Sequence, residues 1–202
     1  TEHGMRFDIK TERSAYKNLT APIFGPYQSE NLCCAIQACE LISGIPIDRS
    51  LIERWLCSLD IPGKCEIIRR KPTVIIDAAI HRYSAQYLND VVNHFKRKKI
   101  ITIVGLSSDK DYEGVIKVAT AFSDDIIVSA PSSGYKPFSI EDLVQSARTY
   151  FPLSMALKLQ DALSSALSSP NHVVVILGNH SFIAEAKRKV QTQSPDKRRL
   201  TV

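Results

Sequence analysis

The 202-residue sequence has no apolar run long enough to cross a bilayer, so it offers no candidate membrane-spanning helix. Its first residues, Thr1-Glu2-His3-Gly4-Met5, lack the charged and apolar regions of a secretory leader. The expected location is cytoplasmic, with no membrane partner. Cysteines are few and wrongly spaced for a metal: Cys33, Cys34, Cys39, Cys57 and Cys65 make five, with no CxxC pair among them. An odd count without that spacing argues against a disulfide framework and against a zinc site. Cys33, Cys34 and Cys39 fall inside a helical pattern and are expected to be small core residues. No HExxH, GxSxG, Walker A or GxGxxG sequence occurs, which removes the commonest self-contained active sites.

What is present is ordinary for a globular chain: 44% hydrophobic and 23% charged residues. The length suffices for one domain plus a small appendage. Much of the formal net charge of +5 lies in Lys96-Arg97-Lys98-Lys99, Lys187-Arg188-Lys189 and Lys197-Arg198-Arg199. The first two read as last helical turns, where cations complement the helix dipole. The third reads as a frayed terminus. Nucleic acid is therefore not an expected partner, and anionic small molecules such as nucleotides or polycarboxylates fit the charge at least as well.

Met5 to Lys10 alternates apolar and polar residues as a half-buried strand does, and Tyr16 to Phe24 reads as a second strand limited by Pro22. Two strands make no stable unit in water and need another sheet. This part is expected to be the end of a domain whose body lies elsewhere. A helix follows, with Leu32, Ala35, Ile36, Cys39 and Leu41-Ile42 as its apolar face and Gly44 as its stop. Asp48 can cap another, burying Leu51, Ile52, Trp55 and Leu56. From residue 72 the pattern repeats, in a domain expected to begin near residue 63. β-branched strands at 66–69, 74–76, 100–104, 126–128 and 173–177 alternate with helices at 84–96, 111–121, 139–147, 153–167 and 181–190. That order predicts an α/β domain with a Rossmann-like, mostly parallel sheet and helices on both faces. Residues 194–202 read as a disordered basic tail.

Ligands of open α/β sheets collect at the carboxyl ends of the strands. Asp77 closes the buried run Thr73-Val74-Ile75-Ile76 and is placed to accept hydrogen bonds from a ribose diol or an ammonium group. The plainer alternative is a helix cap. His81, four residues on, is the one histidine with a candidate role, although an exposed histidine without a partner is the commoner case. Asp109, Lys110 and Asp111 follow the next strand and would face the same crevice; a cap at Ser108 or Asp109 explains them equally. Ala130 to Tyr135 and Gly178-Asn179-His180-Ser181 follow further strands, and turn and cap requirements account for the second.

These landmarks together resemble the folylpolyglutamate synthase/dihydrofolate synthase branch of the Mur ligase family. That branch runs G-x-H-Q-x-x-N-A, W-P-G-R-x-E, a strand ending D-G-A-H-N-P, a D-K-D loop, and a late strand entering G-S. The corresponding pieces are Gly25-Pro26-Tyr27-Gln28-Ser29-Glu30-Asn31, Ile61-Pro62-Gly63-Lys64-Cys65-Glu66, Ile75-Ile76-Asp77-Ala78-Ala79-Ile80-His81, Asp109-Lys110-Asp111 and Leu177-Gly178-Asn179-His180-Ser181.

The resemblance implies an ATP- and Mg-dependent amide-bond ligase. ATP phosphorylates a folate or pteroate carboxylate, and the amine of glutamate attacks the acyl phosphate. It implies residues 1–62 as the end of a central ATPase domain with linker helices, and 63–193 as a C-terminal Rossmann-like ligase domain. The N-terminal P-loop portion that holds most of the ATP and Mg would be the missing partner. Asn31, Lys64 and Asp77 match nucleotide-binding positions, Asp109, Lys110 and Asp111 substrate-binding ones, and His81 is the candidate catalytic group. Lys64 stands in place of arginine, Ala78 of glycine, Ile80 of histidine, His81 of asparagine, Arg82 of proline and Tyr27 of another histidine. Those changes keep open an alternative, a degenerate nucleotide-binding or scaffold module without ligase activity.

Overall fold

The computed structural model describes residues 4–93, 95, 98–107, 109–130 and 139–193. The expected tail at 194–202 and residues 131–138, most of the candidate stretch Ala130 to Tyr135 among them, lie outside these. The chain divides into two compact units, Thr1–Cys65 and Glu66–Val202.

In the first unit β1 (Met5–Lys10) and β2 (Ala15–Ala21) form an antiparallel hairpin, with Met5 opposite Ala21 and Lys10 opposite Ala15. Its apolar face, Ile9, Tyr16, Leu19 and Ala21, packs with Leu32 and Ile36 of α1 (Tyr27–Ser43) and with Ile52 and Leu56 of α2 (Arg49–Cys57). Two helices of the same unit thus cover this face of the hairpin. Glu40, wholly buried on the same side of α1, accepts a hydrogen bond from the Tyr16 hydroxyl at 2.8 Å. Both helix boundaries follow the sequence signals. Gly44 takes the left-handed conformation (φ 75°) and donates its N–H to the Glu40 carbonyl. The Asp48 carboxylate accepts from the N–H groups of Ser50 and Leu51.

The buried faces are narrower than the sequence predicts. Cys34, Ala35 and Cys39 are exposed, as are Leu41, Ile42, Leu51 and Trp55. One hairpin face can cover only the arc of α1 around Leu32 and Ile36. Cys33 is half-buried, so of the five cysteines only Cys65 is a core residue.

The second unit is a six-stranded sheet in the order β3-β4-β8-β5-β6-β7. Its strands are β3 (Glu66–Arg70), β4 (Thr73–Asp77), β5 (Ile100–Gly105), β6 (Asp125–Val128), β7 (Met155–Ala156) and β8 (Val173–Gly178). β3 pairs antiparallel with β4 at one edge, and every other pair is parallel. β4, β5 and β8 are buried along their whole length, which is why each reads as a continuous apolar run. On one face Val74, Ile76, Ile103, Val174 and Ile176 pack against α7 (Leu159–Ala166) and α8 (His180–Thr192). The remaining helices are α3 (Arg82–Ala85), α4 (Leu88–Asn93), α5 (Tyr112–Ala119) and α6 (Ile140–Tyr150). They bury Leu88, Val92, Val115, Ile116 and Leu143 and supply the opposite layer. The helix expected over 84–96 is two short ones. The helix expected over 153–167 starts only at Leu159, because Met155 and Ala156 pair with Ile127 and Val128 as β7.

Gly105 and Gly178 lie opposite each other in the β5–β8 ladder, beneath the ring of Phe182. A Cβ at Gly178 would run into the Gly105 carbonyl and the Phe182 ring, so only glycine lets α8 sit this close to the sheet. Gly178→Ala is expected to lower unfolding stability by about 1–3 kcal/mol in a urea titration. A loss below about 0.5 kcal/mol, the range of an ordinary surface change, would contradict this packing.

Candidate functional site

Because the strands from β4 to β7 run parallel, the loops after β4, β5, β6 and β8 share the carboxyl edge of the sheet. β8 enters last in the chain yet lies between β4 and β5, so the strand order reverses there. Such a reversal is where a crevice opens in an α/β sheet.

Asp77 ends β4 opposite Leu177 of β8 and is 2% exposed. Since Val74 and Ile76 face α7 and α8, alternation turns Asp77 to the other layer, with Ile75. It does not cap the next helix. His81 does, its Nδ1 accepting from the Ser84 N–H at 3.1 Å while the Ser84 hydroxyl donates to the His81 carbonyl at 2.8 Å. The imidazole is exposed and packs edge-on to Tyr83, ring centroids 6.2 Å apart. With Nδ1 committed to a backbone amide, only Nε2 is left for other chemistry.

Asp111 clips two loops together. Its Oδ2 accepts from the backbone N–H of Arg82 at 3.0 Å and from Arg82 Nε at 3.2 Å. Its own N–H donates to the Ile80 carbonyl at 3.2 Å, and its Oδ1 accepts from the Gly114 N–H as the cap of α5. The Arg82 N–H, ahead of the guanidinium and the Gly114 N–H, holds the Asp111 carboxyl below the usual range against the opposing effect of burial. Proline at position 82 would lack that N–H. The cap expected at Ser108 or Asp109 is thus made by Asp111; Ser108 lies outside the described residues.

Asp109 is held from both sides. Lys110 Nζ is 2.8 Å from Oδ2, and the buried Ser107 hydroxyl donates to Oδ1 at 2.6 Å. The Lys110 ammonium, then the Ser107 hydroxyl, draw this carboxyl down to about 2. At the carboxyl end of β6 the Ser129 hydroxyl is fully buried and, among the described residues, has no hydrogen-bond partner. Sequence reasoning assigns no role to Ser129 and names Arg82 only as a replacement for proline. The signal for Ser129 was available, since it follows the run Ile126-Ile127-Val128 as Asp77 follows its own.

The other candidates belong to the first unit. Asn31 is exposed on α1 and donates from Nδ2 to Gln28 Oε1 at 3.1 Å. Lys64 closes a turn before β3, its N–H donating to the Ile61 carbonyl at 3.3 Å. The structure therefore brings the loops of Asp77, His81, Asp109, Lys110 and Asp111 to one sheet edge, and holds Asn31 and Lys64 in a separate unit. Among the described residues no cluster of three or more His, Cys, Asp or Glu side chains could hold a metal ion. A cleft of about 450 Å³ lies at the opposite, amino edge, lined in part by Asn89, Lys98, Phe122 and Asp124. Its Asp124 carboxylate accepts from the Ile100 N–H at 2.7 Å and serves the fold.

No protein-family profile matches the chain. Folylpolyglutamate synthase of Lacticaseibacillus casei is 26% identical over 194 residues, covering 92% of this chain and 43% of the relative. A UDP-N-acetylmuramoyl-L-alanyl-D-glutamate–2,6-diaminopimelate ligase of Helicobacter pylori is 23% identical over 167 residues, covering 78% of this chain and 36% of the relative. Among solved structures, Mycobacterium tuberculosis folylpolyglutamate synthase complexed with ADP and AMPPCP superposes with a TM-score of 0.83 at 23% identity. That match covers 96% of this chain and 46% of the other. The class is thus an α/β sheet with the fold of these ligases. The chain resembles the folylpolyglutamate/dihydrofolate synthase branch of the Mur ligase family over nearly its whole length, in the C-terminal part. It spans less than half the length of the relatives it matches.

The Asp109 grip makes a pH-dependent signature. A carboxyl lowered in the folded state contributes stability above its unfolded value of about 3.9, and that contribution disappears as pH falls toward about 2. The Asp109 carboxyl carbon, followed by NMR, is expected to titrate near 2 and to move up toward the ordinary range in Lys110→Ala. An unchanged midpoint in that variant would remove Lys110 as the main cause.

Proposed function

We propose that this chain is the C-terminal part of an ATP-dependent amide-bond ligase that adds glutamate to a folate or pteroate carboxylate through an acyl phosphate. It acts with an ATP-binding, P-loop-bearing portion and not alone. The observation that carries the reading is the match to folylpolyglutamate and dihydrofolate synthases along nearly the whole chain, joined to loops gathered at one sheet edge. The relatives' structures were solved with ADP, AMPPCP, or AMPPNP and Mn, which supports ATP and a divalent ion as cofactors. As the resemblance implies, the P-loop portion holds most of the ATP and the ion.

In this reading ATP supplies the phosphoryl group that activates the carboxylate. Asp77 receives the nucleotide's ribose hydroxyls at the rim of the sheet, and the resemblance assigns nucleotide binding to Asn31 and Lys64 as well. Lys110, steadied by Asp109, offers an ammonium to an anionic substrate group. Asp111 holds the two loops in register through Arg82. His81 enters the chemistry only through Nε2. Its cap to Ser84, with the replacements at 78–82, favours the second reading, a nucleotide-binding or scaffold module without turnover.

The test is a fusion in which the ATP-binding portion of the L. casei relative precedes Thr1. ADP release is expected only with both a folate and glutamate present. Asp77→Ala, shown folded by circular dichroism, is expected to raise KM for ATP roughly 10- to 100-fold, the worth of hydrogen bonds to a charged group. An unaltered KM would take Asp77 out of the nucleotide site. ATP bound without turnover would select the module.

A further inference from the structure

The amino-edge cleft takes no part in the ligase reading. It lies within the second unit, between α4 and the segment that follows α5, and its volume of about 450 Å³ has room for a small organic molecule. Its walls carry both signs of charge, Lys98 and Asp124. Among the described residues Lys98 has no acidic partner, whereas Lys99 beside it sits 2.6 Å from Asp125. Asp124 spends Oδ2 on the Ile100 N–H, which leaves Oδ1 open to another donor. Its own N–H donates to the Ile100 carbonyl at 2.9 Å, so Asp124 stands one strand spacing from Ile100. Lys98 precedes Ile100 by two residues, and the Cα atoms of the two charged residues therefore lie within roughly 9 Å. One small molecule can touch both. Asn89 and Asn93, half-buried and four residues apart on α4, share the helix face that borders the cleft. Asparagine is a poor helix former, and two on one face of so short a helix serve its stability badly. Among the described residues neither carboxamide has a protein partner, and each offers a carbonyl acceptor and two N–H donors. Half-buried Phe122 supplies an aromatic wall.

We propose that this cleft binds a free α-amino acid with a hydrogen-bonding side chain. Asp124 Oδ1 takes the ammonium, which also gains from the face of the Phe122 ring, and Lys98 takes the carboxylate. Asn89 and Asn93 meet the side chain. Other ligand classes fit the walls less well. An anion alone would face the Asp124 carboxylate, and a cation alone would face Lys98. An apolar molecule would strand both carboxamides. A nucleotide brings several negative charges and no ammonium. The inference goes beyond the ligase reading and does not depend on it. The six residues of β5 separate the two sheet edges by roughly 20 Å. An amino acid held in the cleft is thus an effector, and not the amine that attacks at the carboxyl edge.

NMR titration of the 202-residue chain with glutamine, without ATP, tests the site. The side-chain amide signals of Asn89 and Asn93 and the backbone amides of Phe122 and Asp124 are expected to shift saturably, with a midpoint in the millimolar range. Glycine, which has both charges and no side chain, is expected to bind about tenfold more weakly. Propionate and ethylamine carry one charge each and are expected to give no saturable shift. Lys98→Gln and, separately, Asp124→Asn are expected to weaken glutamine binding by about tenfold or more. Asparagine at 124 keeps a carbonyl acceptor for the Ile100 N–H, and the spectrum without glutamine verifies the fold. Lys98→Gln alters an exposed side chain and decides the matter if Asp124→Asn disturbs that spectrum. No saturable shift at the cleft up to tens of millimolar glutamine overturns the proposal. Propionate or ethylamine acting as well as glutamine also overturns it, since one charge would then suffice. Shifts confined to the Asp77 loop overturn it in favour of the carboxyl edge.

Discussion

The structure depends on the pairing of β8 between β4 and β5. All three are buried from end to end and largely apolar, and none has a face to offer solvent. A strand of that kind is stable only inside a sheet covered on both sides, and a parallel one only through crossover helices. That requirement draws α7 and α8 onto one face and α3 to α6 onto the other. It also aligns Asp77 with Leu177 and Gly105 with Gly178, so the last strand to enter holds the loops of the first two at one level. The position of the candidate site follows from hydrophobic burial, before any of its polar groups is considered.

On that edge the polar groups are largely arranged by one another. Arg82 and Asp111 join the loops after β4 and β5 across 29 residues of sequence, with Ile80 adding a backbone tie. Asp109 is gripped by Lys110 and Ser107. Such satisfied networks fix loop geometry, and a site benefits when its groups are already in place. The replacement of the branch's proline by Arg82 makes physical sense in this light, since arginine brings both a backbone and a side-chain donor to Asp111. The same network leaves His81 less free than its position suggested.

Much of this was legible in the residues. The run ending in Asp77 marked both a buried strand and the sheet edge, because β-branched residues bounded by breakers admit few other readings. Gly44 and Asp48 signalled their helix ends through conformation and capping chemistry. Other features were not legible, for identifiable reasons. β7 is two residues long, too short for periodicity to register, and it was absorbed into a predicted helix. The Arg82–Asp111 clip joins residues far apart in sequence, which local patterns do not reveal. In α1 apolar residues lie on both sides, and spacing alone does not say which side the hairpin covers. Cys34 and Cys39 were assigned to the core for that reason.

The central claim is that the carboxyl edge of this sheet receives the nucleotide. Amide hydrogen exchange of the fusion with and without ADP tests it most directly, comparing residues 77–82 and 105–110 with the amino-edge cleft at Asn89, Asn93 and Phe122 to Asp124. The account predicts slowed exchange at the first two stretches and none at the cleft. Slowing confined to the cleft, with the Asp77 loop unchanged, would contradict it.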